Sequence, residues 1–223
     1  MHKLTYLHST EQGDDLIAYM ARVSNPSNQN NTSTAPKLIR YLIKHKHWSP
    51  FEMVDMTMEI KTSRAIAAQI LRHRSFSFQE FSQRYSQAQV LESLVLRKQA
   101  EKNRQSSAEE YKNSILQSKV REHLAKGISL YNNLIEDGVA KECARMILPL
   151  TTETTMYMKG SIRSWAHYID LRTDLNSFLP KKLNSKIKKK VVDSCIKLLK
   201  KKPFLHDKLE FQVIPTCFNL RIW

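Results

Sequence analysis

Segments with a strand's period of two alternate along this chain with segments of helical period, which predicts a mixed α and β fold. The clearest strand signal is "MVDMTMEIKTS", where Val54, Met56, Met58 and Ile60 share one parity and Asp55, Thr57 and Glu59 the other. The clearest helix signal is "KLIRYLIKHKH", whose apolar residues recur at helical spacing until "WSPFE" ends the pattern. No Pro/Gly/Ser-rich linker divides the 223 residues, so residues 1–223 are expected to form a single domain with ample length to bury a core.

The remaining elements follow in order. "KLTYLHS" near the start is expected to be a short strand, and "GDDLIAYMARVS" a helix opened by Asp14 and Asp15, whose charges suit the positive end of a helix dipole. Asn25 to Pro36 is a polar, turn-rich loop. After the strand through Ile60, "RAIAAQILRHR" has helical spacing, and the chain leaves it as an extended segment, "SFSFQEFSQRYSQ". "AEEYKNSILQSKVREHLAKGISLYNNLIEDG" is a long helical pattern, expected to break near Gly127 and to close at Gly138. "AKECARMILPL" sets Glu142 and Arg145 one turn apart, the spacing of an ordinary intrahelical ion pair. Within "TTETTMYMKGSIRSWAHYIDLRTDLNS", Ser161, Trp165, Tyr168 and Arg172 fall on one helical stripe with His167 beside it.

Composition narrows the class. The hydrophobic fraction of 41% suits a globular protein, and no apolar run approaches the roughly 20 residues needed to span a bilayer. The N-terminal "MHKLTYLHST" lacks the apolar core of a secretory signal, so a cytoplasmic location is expected. Cys143, Cys195 and Cys217 are odd in number and far apart, without a C-x-x-C pair, which disfavours a disulfide framework or a structural zinc. The histidines are scattered as well, so no metal is expected. The net charge of +15 suits nucleic acid, a membrane surface or a phosphate-bearing small molecule. The lysines crowd into Pro180 to Pro203, where Leu183, Ile187, Val191 and Leu198 recur at helical spacing and leave a lysine-rich outer face. That amphipathic pattern supports one alternative, a basic nucleic-acid-binding protein without catalysis. The arginines are distributed differently, among polar and aromatic residues rather than in runs.

"RHRSFSFQEFSQRYSQ", Arg72 to Gln87, concentrates them. If the segment from Phe76 is extended, Glu80, Ser82 and Arg84 share one face, and Phe81, Gln83 and Tyr85 the other. A carboxylate, a hydroxyl and a guanidinium in one strip match a nucleotide: Arg for phosphate, Ser for phosphate or a ring oxygen, Glu for a hydroxyl or ring donor. A solvated strand face with a Glu–Arg cross-pair has the same pattern, and spacing alone does not choose between them.

The same stretch resembles the signature of the flavin-dependent thymidylate synthases, the ThyX family, which is R-H-R, seven residues and Ser, often extended to S-x-R-Y. Further stretches agree in order: "ARVS" at Ala21, "HWSPFE" at His47, "QILRHR" from Gln69, "ECARMILPL" at Glu142 and "RSWAHYIDLR" ending at Arg172. The resemblance implies an α/β (α+β) fold, with a mixed, largely antiparallel sheet flanked by helices, in a homotetramer whose active sites lie between subunits. It implies reductive methylation of dUMP to dTMP, with 5,10-methylenetetrahydrofolate giving the carbon and NADPH reducing the FAD that delivers hydride. Residue by residue, it implies dUMP contacts from Gln69, Arg72, Glu80, Ser82, Arg84 and Arg145, with backbone groups at Phe81 and Gln83. It implies flavin contacts from Arg72, His73, Arg74 and Glu80, with Ser49 joining from another subunit and Ser161, Ile162, Arg163 and His167 nearby. Arg172 is implied to bind the uracil ring, favour its ionised form and so carry the catalysis.

The residue types agree with that chemistry. A thymidylate synthase that attacks uracil with a thiolate needs a suitably placed cysteine, and none of the three stands in such a setting. Activation then falls to a guanidinium where the ring gathers negative charge. Ser82 has no accompanying base in the motif and is expected to bind rather than attack. Two departures stand out. Family members often carry Asn where this chain has Ser161, and many continue soon after Arg172 into an A-Q-x-E-I-R helix that "TDLNSFLPKKLNSKIKKK" replaces here.

Overall fold

The architecture was analysed in a computed structural model that describes residues 2–86, 90–101, 107–172 and 210–212. Its centre is a five-stranded antiparallel sheet of β1 (Lys3–Ser9), β2 (Asp55–Ser63), β3 (Ser77–Glu80), β6 (Glu153–Ser161) and β7 (Glu210–Gln212), ordered β3-β6-β2-β1-β7. A separate hairpin pairs β4 (Arg97–Gln99) with β5 (Ser107–Glu110). The helices are α1 (Gly13–Ala21), α2 (Ala35–Lys44), α3 (Arg64–Ile70), α4 (Ser114–Glu136), α5 (Lys141–Ala144) and α6 (Ile162–Arg172), with a 3-10 turn at Ser49–Met53. Strands and helices therefore combine in the α/β (α+β) class implied by the sequence, with antiparallel pairing at every join of the main sheet.

The parity of β2 decides which face is covered. Met56, Met58 and Ile60 are buried, and in register across the ladder Met58 meets Met158 and Ile60 meets Met156. Ile17, Ile39, Leu42, Phe51, Ile70, Phe76, Trp165 and Tyr168 pack into the same cluster, so α1, α2, α3, α6 and the 3-10 turn contribute to one core. The opposite parity stays polar: Glu59 and Lys61 are half-buried and Lys159 is exposed, as for an antiparallel sheet wet on one side. Trp165 fixes α6 by donating its indole Nε1–H to the Met56 carbonyl at 3.0 Å. Close approach matters at Gly160, where an added Cβ would stand 2.4 Å from the Phe76 ring. That ring is held edge-on by Trp165 at 4.9 Å and Tyr168 at 5.7 Å.

Several sequence expectations hold with small shifts. β1, α1, α2, β2 and α3 lie where their periodicities put them, although α3 stops at Ile70, before the R-H-R triplet. Gly138 closes α4 at φ +85, the left-handed region that glycine enters at no steric cost, and its N–H donates to Ile135 O. The break expected near Gly127 is absent. α4 runs unbroken for 23 residues, and Gly127 instead faces the Pro149 ring, 3.9 Å from where a Cβ would stand. The segment before it is strand β5, and Asn113 starts the helix by accepting from Leu116 N at 2.9 Å. Ser161 ends strand β6 rather than lying on a helical stripe. The lysine-rich 181–202 stretch, Cys195 and Cys217 lie outside the described residues. No helix among the described residues is long and apolar enough to cross a membrane.

Candidate active site

Strand β3 carries the strip to the sheet edge, pairing Ser77 with Lys159 and Glu80 with Met156. Phe81 N still donates to Thr155 O at 2.8 Å, and then the strand ends. Tyr85 N and Ser86 N both donate to Ser82 O at 3.1 Å, which folds Ser82–Ser86 into a turn. The extended geometry expected through Ser86 is therefore corrected: Gln83 turns inward at 5% exposure while Tyr85 turns outward at 84%. Glu80 is not free to act alone either. Its Oε1 accepts from Arg64 Nη1 at 2.6 Å and from Thr154 Oγ1 at 2.9 Å, so the half-buried carboxylate is fastened to α3 and β6.

The R-H-R triplet leaves α3 through successive turns, with Arg72 N donating to Gln69 O, His73 N to Ile70 O and Phe76 N to His73 O. Phe76 plugging the core under Gly160 dictates that exit. Arg72 and Arg74 are exposed, whereas the half-buried His73 ring stacks edge-on against Tyr168 at 4.8 Å. His73 thus links the triplet to α6, which ends at Arg172. The Arg172 side chain lies outside the described set. His167 is exposed on the same helix.

A second polar group forms where β6 passes into α6. Ser161 Oγ donates to Glu52 Oε2 at 2.5 Å and accepts from Ser164 N at 3.2 Å, and Arg163 Nη1 donates to Glu52 Oε1 at 2.7 Å. Those contacts, the Ser161 hydroxyl foremost and then Arg163, outweigh desolvation and hold the Glu52 carboxyl below its ordinary range. Ser49 is exposed at the start of the same 3-10 turn as Glu52. Ile162 differs from its neighbours, because its side chain is in the core and its N–H is used by Val54 O at 2.8 Å. Its carbonyl opens the hydrogen-bond ladder of α6, so Ile162 contributes position rather than a free polar group.

The third group is α5 and the 3-10 turn that follows it, Arg145–Ile147. Arg145 is half-buried, and its Nε donates to the Glu142 backbone carbonyl at 3.3 Å, so the one-turn spacing serves a main-chain bond rather than the expected ion pair. Among the described residues no carboxylate pairs with Arg72, Arg74, Arg84 or Arg145. Gln69 Oε1 and Gln83 Nε2 are buried without a hydrogen-bond partner there. Unpaired guanidiniums and an orphaned amide acceptor and donor fit a ligand with phosphate groups and a ring of amide edges, as dUMP and FAD both have. Sequence reasoning missed Arg64, Thr154 and Glu52. Glu52 had a signal, since it closes "HWSPFE", whereas Arg64 and Thr154 become neighbours of Glu80 only through sheet pairing.

This fold is that of the UMP/dUMP methylase PolB from Streptomyces cacaoi, solved with 5-Br dUMP and with 5-Br UMP. The first of these structures superposes with a TM-score of 0.67 over 89% of this chain and 91% of that one, at 23% identity. The family model for "Thymidylate synthase complementing protein" matches residues 5–179. The "Probable flavin-dependent thymidylate synthase" of Paramecium bursaria Chlorella virus 1 is 55% identical over 166 residues, 72% of this chain and 76% of its own. The "Flavin-dependent thymidylate synthase" of Synechocystis sp. (strain ATCC 27184 / PCC 6803 / Kazusa) is 53% identical over 167 residues, 72% and 75% of the two chains. The chain belongs to the flavin-dependent thymidylate synthase (ThyX) family.

Proposed function

We propose that this protein converts dUMP to dTMP as a flavin-dependent thymidylate synthase, with 5,10-methylenetetrahydrofolate as carbon donor and NADPH as reductant of FAD. The observation that carries the reading is the set of arginines with no carboxylate partner among the described residues, Arg72, Arg74, Arg84 and Arg145, on the stretches that match the family signature. In this reading Arg72, Arg84 and Arg145 bind the dUMP phosphate, with Ser82 and the backbone of Phe81 and Gln83 completing the seat. Gln69 offers its orphaned Oε1 to a nucleotide N–H. Glu80, anchored by Arg64 and Thr154, presents its remaining oxygen to a hydroxyl or ring donor. Arg72, His73, Arg74 and Glu80, with Ser49, Ser161, Ile162, Arg163 and His167, hold FAD. When bound, FAD supplies the redox chemistry, accepting hydride from NADPH and passing it on towards the methylated product.

Arg172 stabilises negative charge on the uracil ring, because its guanidinium stays charged and its planar fork matches two ring-edge atoms. Among the described residues no thiol offers a substitute. Cys143 is exposed, and at two residues from Arg145 it faces another side of the helix. One catalytic domain over 1–223 and a homotetramer with shared sites complete the proposal. α4 supports the assembly, since only Tyr131 of its 23 residues is buried while Ile115 is 72% and Leu130 52% exposed. A cytoplasmic location suits an enzyme of nucleotide supply. The test is product formation: purified protein supplied with FAD, NADPH, dUMP and 5,10-methylenetetrahydrofolate should make dTMP, and NADPH oxidation should be faster with dUMP present. Flavin-loaded, folded protein that makes no dTMP overturns the reading.

A further inference from the structure

Lys141, the first residue of α5, donates its Nζ to the backbone carbonyl of Tyr85 at 3.0 Å. That carbonyl lies in the Ser82–Ser86 turn, next to Arg84, and Arg145 follows Lys141 one helical turn later. A single ammonium therefore joins two of the three groups described above across 56 residues of chain. An ammonium has three donors. The other two have no partner among the described residues, and no described carboxylate pairs with Lys141, Arg84 or Arg145. The turn needs such a clasp. Its own bonds are the two to Ser82 O, its inner anchor Gln83 leaves Nε2 unbonded, and Tyr85 beside it projects into solvent. Lys141 and Arg145 lie one turn apart and Lys141 holds the carbonyl next to Arg84, so an anion joining the three would relieve their mutual repulsion.

We infer that Lys141 is a positioning residue for nucleotide binding, fastening the Ser82–Ser86 turn to α5 so that Arg84 and Arg145 meet one phosphate, with its free donors adding a third positive charge. This rests on the proposed dUMP site and adds to it a residue outside the family signature stretches considered above. The expected signature is selective. Loss of Lys141 loosens the turn and weakens phosphate binding, while Arg72, His73, Arg74 and the Glu52 cluster are untouched. Arginine at the same place keeps the charge and reaches the carbonyl.

The experiment compares wild type, Lys141→Met and Lys141→Arg by dUMP titration, FAD titration and amide hydrogen exchange over 82–86. Lys141→Met is expected to bind dUMP at least tenfold more weakly, about the effect of losing one charge-assisted hydrogen bond. Its Tyr85 and Ser86 amides should exchange faster, its FAD affinity should stay within twofold of wild type, and Lys141→Arg should recover most of the dUMP affinity. Unchanged exchange over 82–86 in Lys141→Met overturns the clasp, whatever the protein binds. Unchanged dUMP affinity in that variant, or equal losses for dUMP and FAD, overturns the nucleotide role. A wild type that binds no dUMP overturns the proposed function itself, and the exchange measurement still decides the clasp.

Discussion

Arg64, bonded to Glu80 at one end of the strip, and Arg84, at its other end, have opposite electrostatic lives. Arg64 has a carboxylate at 2.6 Å, and through Glu80 it ties α3 to β3 and, with Thr154, to β6. Arg84 is exposed in a turn with no described carboxylate to meet it. The difference separates charges that build the scaffold from charges proposed to meet a ligand. Arg163 stands between the two classes, fastened to Glu52 through Nη1 with its other donors proposed to meet FAD, and Arg72, Arg74 and Arg145 belong with Arg84. A pattern of letters cannot make this distinction, because Glu80 and Arg84 look like natural partners in sequence and the fold pairs Glu80 elsewhere.

The largest effect is expected at Arg172, the residue assigned to the reacting ring. Arg172→Lys keeps the charge and loses the fork, so turnover should fall by roughly a hundred- to thousandfold, about 3–4 kcal/mol of transition-state stabilisation. Flavin reduction by NADPH without dUMP should remain near wild type. Stopped-flow measurement of the two half-reactions checks this, and an unchanged oxidative half-reaction at saturating dUMP and folate would make Arg172 a structural arginine.

The Arg64 and Arg84 pair is tested by crossing two readouts. Arg64→Met strands the half-buried Glu80 carboxylate and should cost about 1–2 kcal/mol of stability by denaturant titration, after allowance for partial exposure. Arg84→Met should leave stability within about 0.5 kcal/mol, yet weaken dUMP binding tenfold or more. If both variants lose stability equally, the division into scaffold and ligand arginines collapses. Ser82→Ala comes next in size: dUMP affinity should drop several-fold, about 1 kcal/mol, with measurable turnover at saturating dUMP. Complete loss of turnover with normal dUMP binding would instead make Ser82 a nucleophile.

The smallest effect concerns Glu52 and acid. Its folded-state pKa is depressed, chiefly by the Ser161 hydroxyl and then by Arg163, so its contribution is fully present above the unfolded carboxylate value. It is lost as pH falls through the lower folded value. Thermal melts of wild type and Glu52→Gln should therefore differ slightly at neutral pH and converge under acid. Divergence under acid would reverse the assigned sign.

Much of this was legible beforehand because apolar periodicity records which face is buried. β2 announces itself through Val54, Met56, Met58 and Ile60, and α2 through its leucines and isoleucines. β6 was overlooked although Met156 and Met158 alternate with Tyr157 and Lys159, because its remaining buried position is a threonine, Thr154, which carries no apolar signal. The motif residues were legible as a set. Their partners were not: Arg64, Thr154 and Lys141 reach Glu80 and Tyr85 only when distant segments meet. Likewise Ser82–Ser86 has an alternating pattern but folds as a turn, since its hydrogen bonds return to Ser82 instead of crossing to β6.

The strand order carries a consequence for synthesis. β6 lies between β3 and β2, yet it emerges from the ribosome long after both. At about 5–20 residues per second, β2 waits several seconds with β1 on one side and an open, methionine-faced edge on the other. β3 has no seat at all in that interval, because every ladder bond it makes is to β6. A nascent or truncated chain ending before Glu153 therefore presents a sticky two-stranded ribbon to chaperones and to its own copies, and the strip proposed to bind the nucleotide is assembled only when β6 slides between β3 and β2.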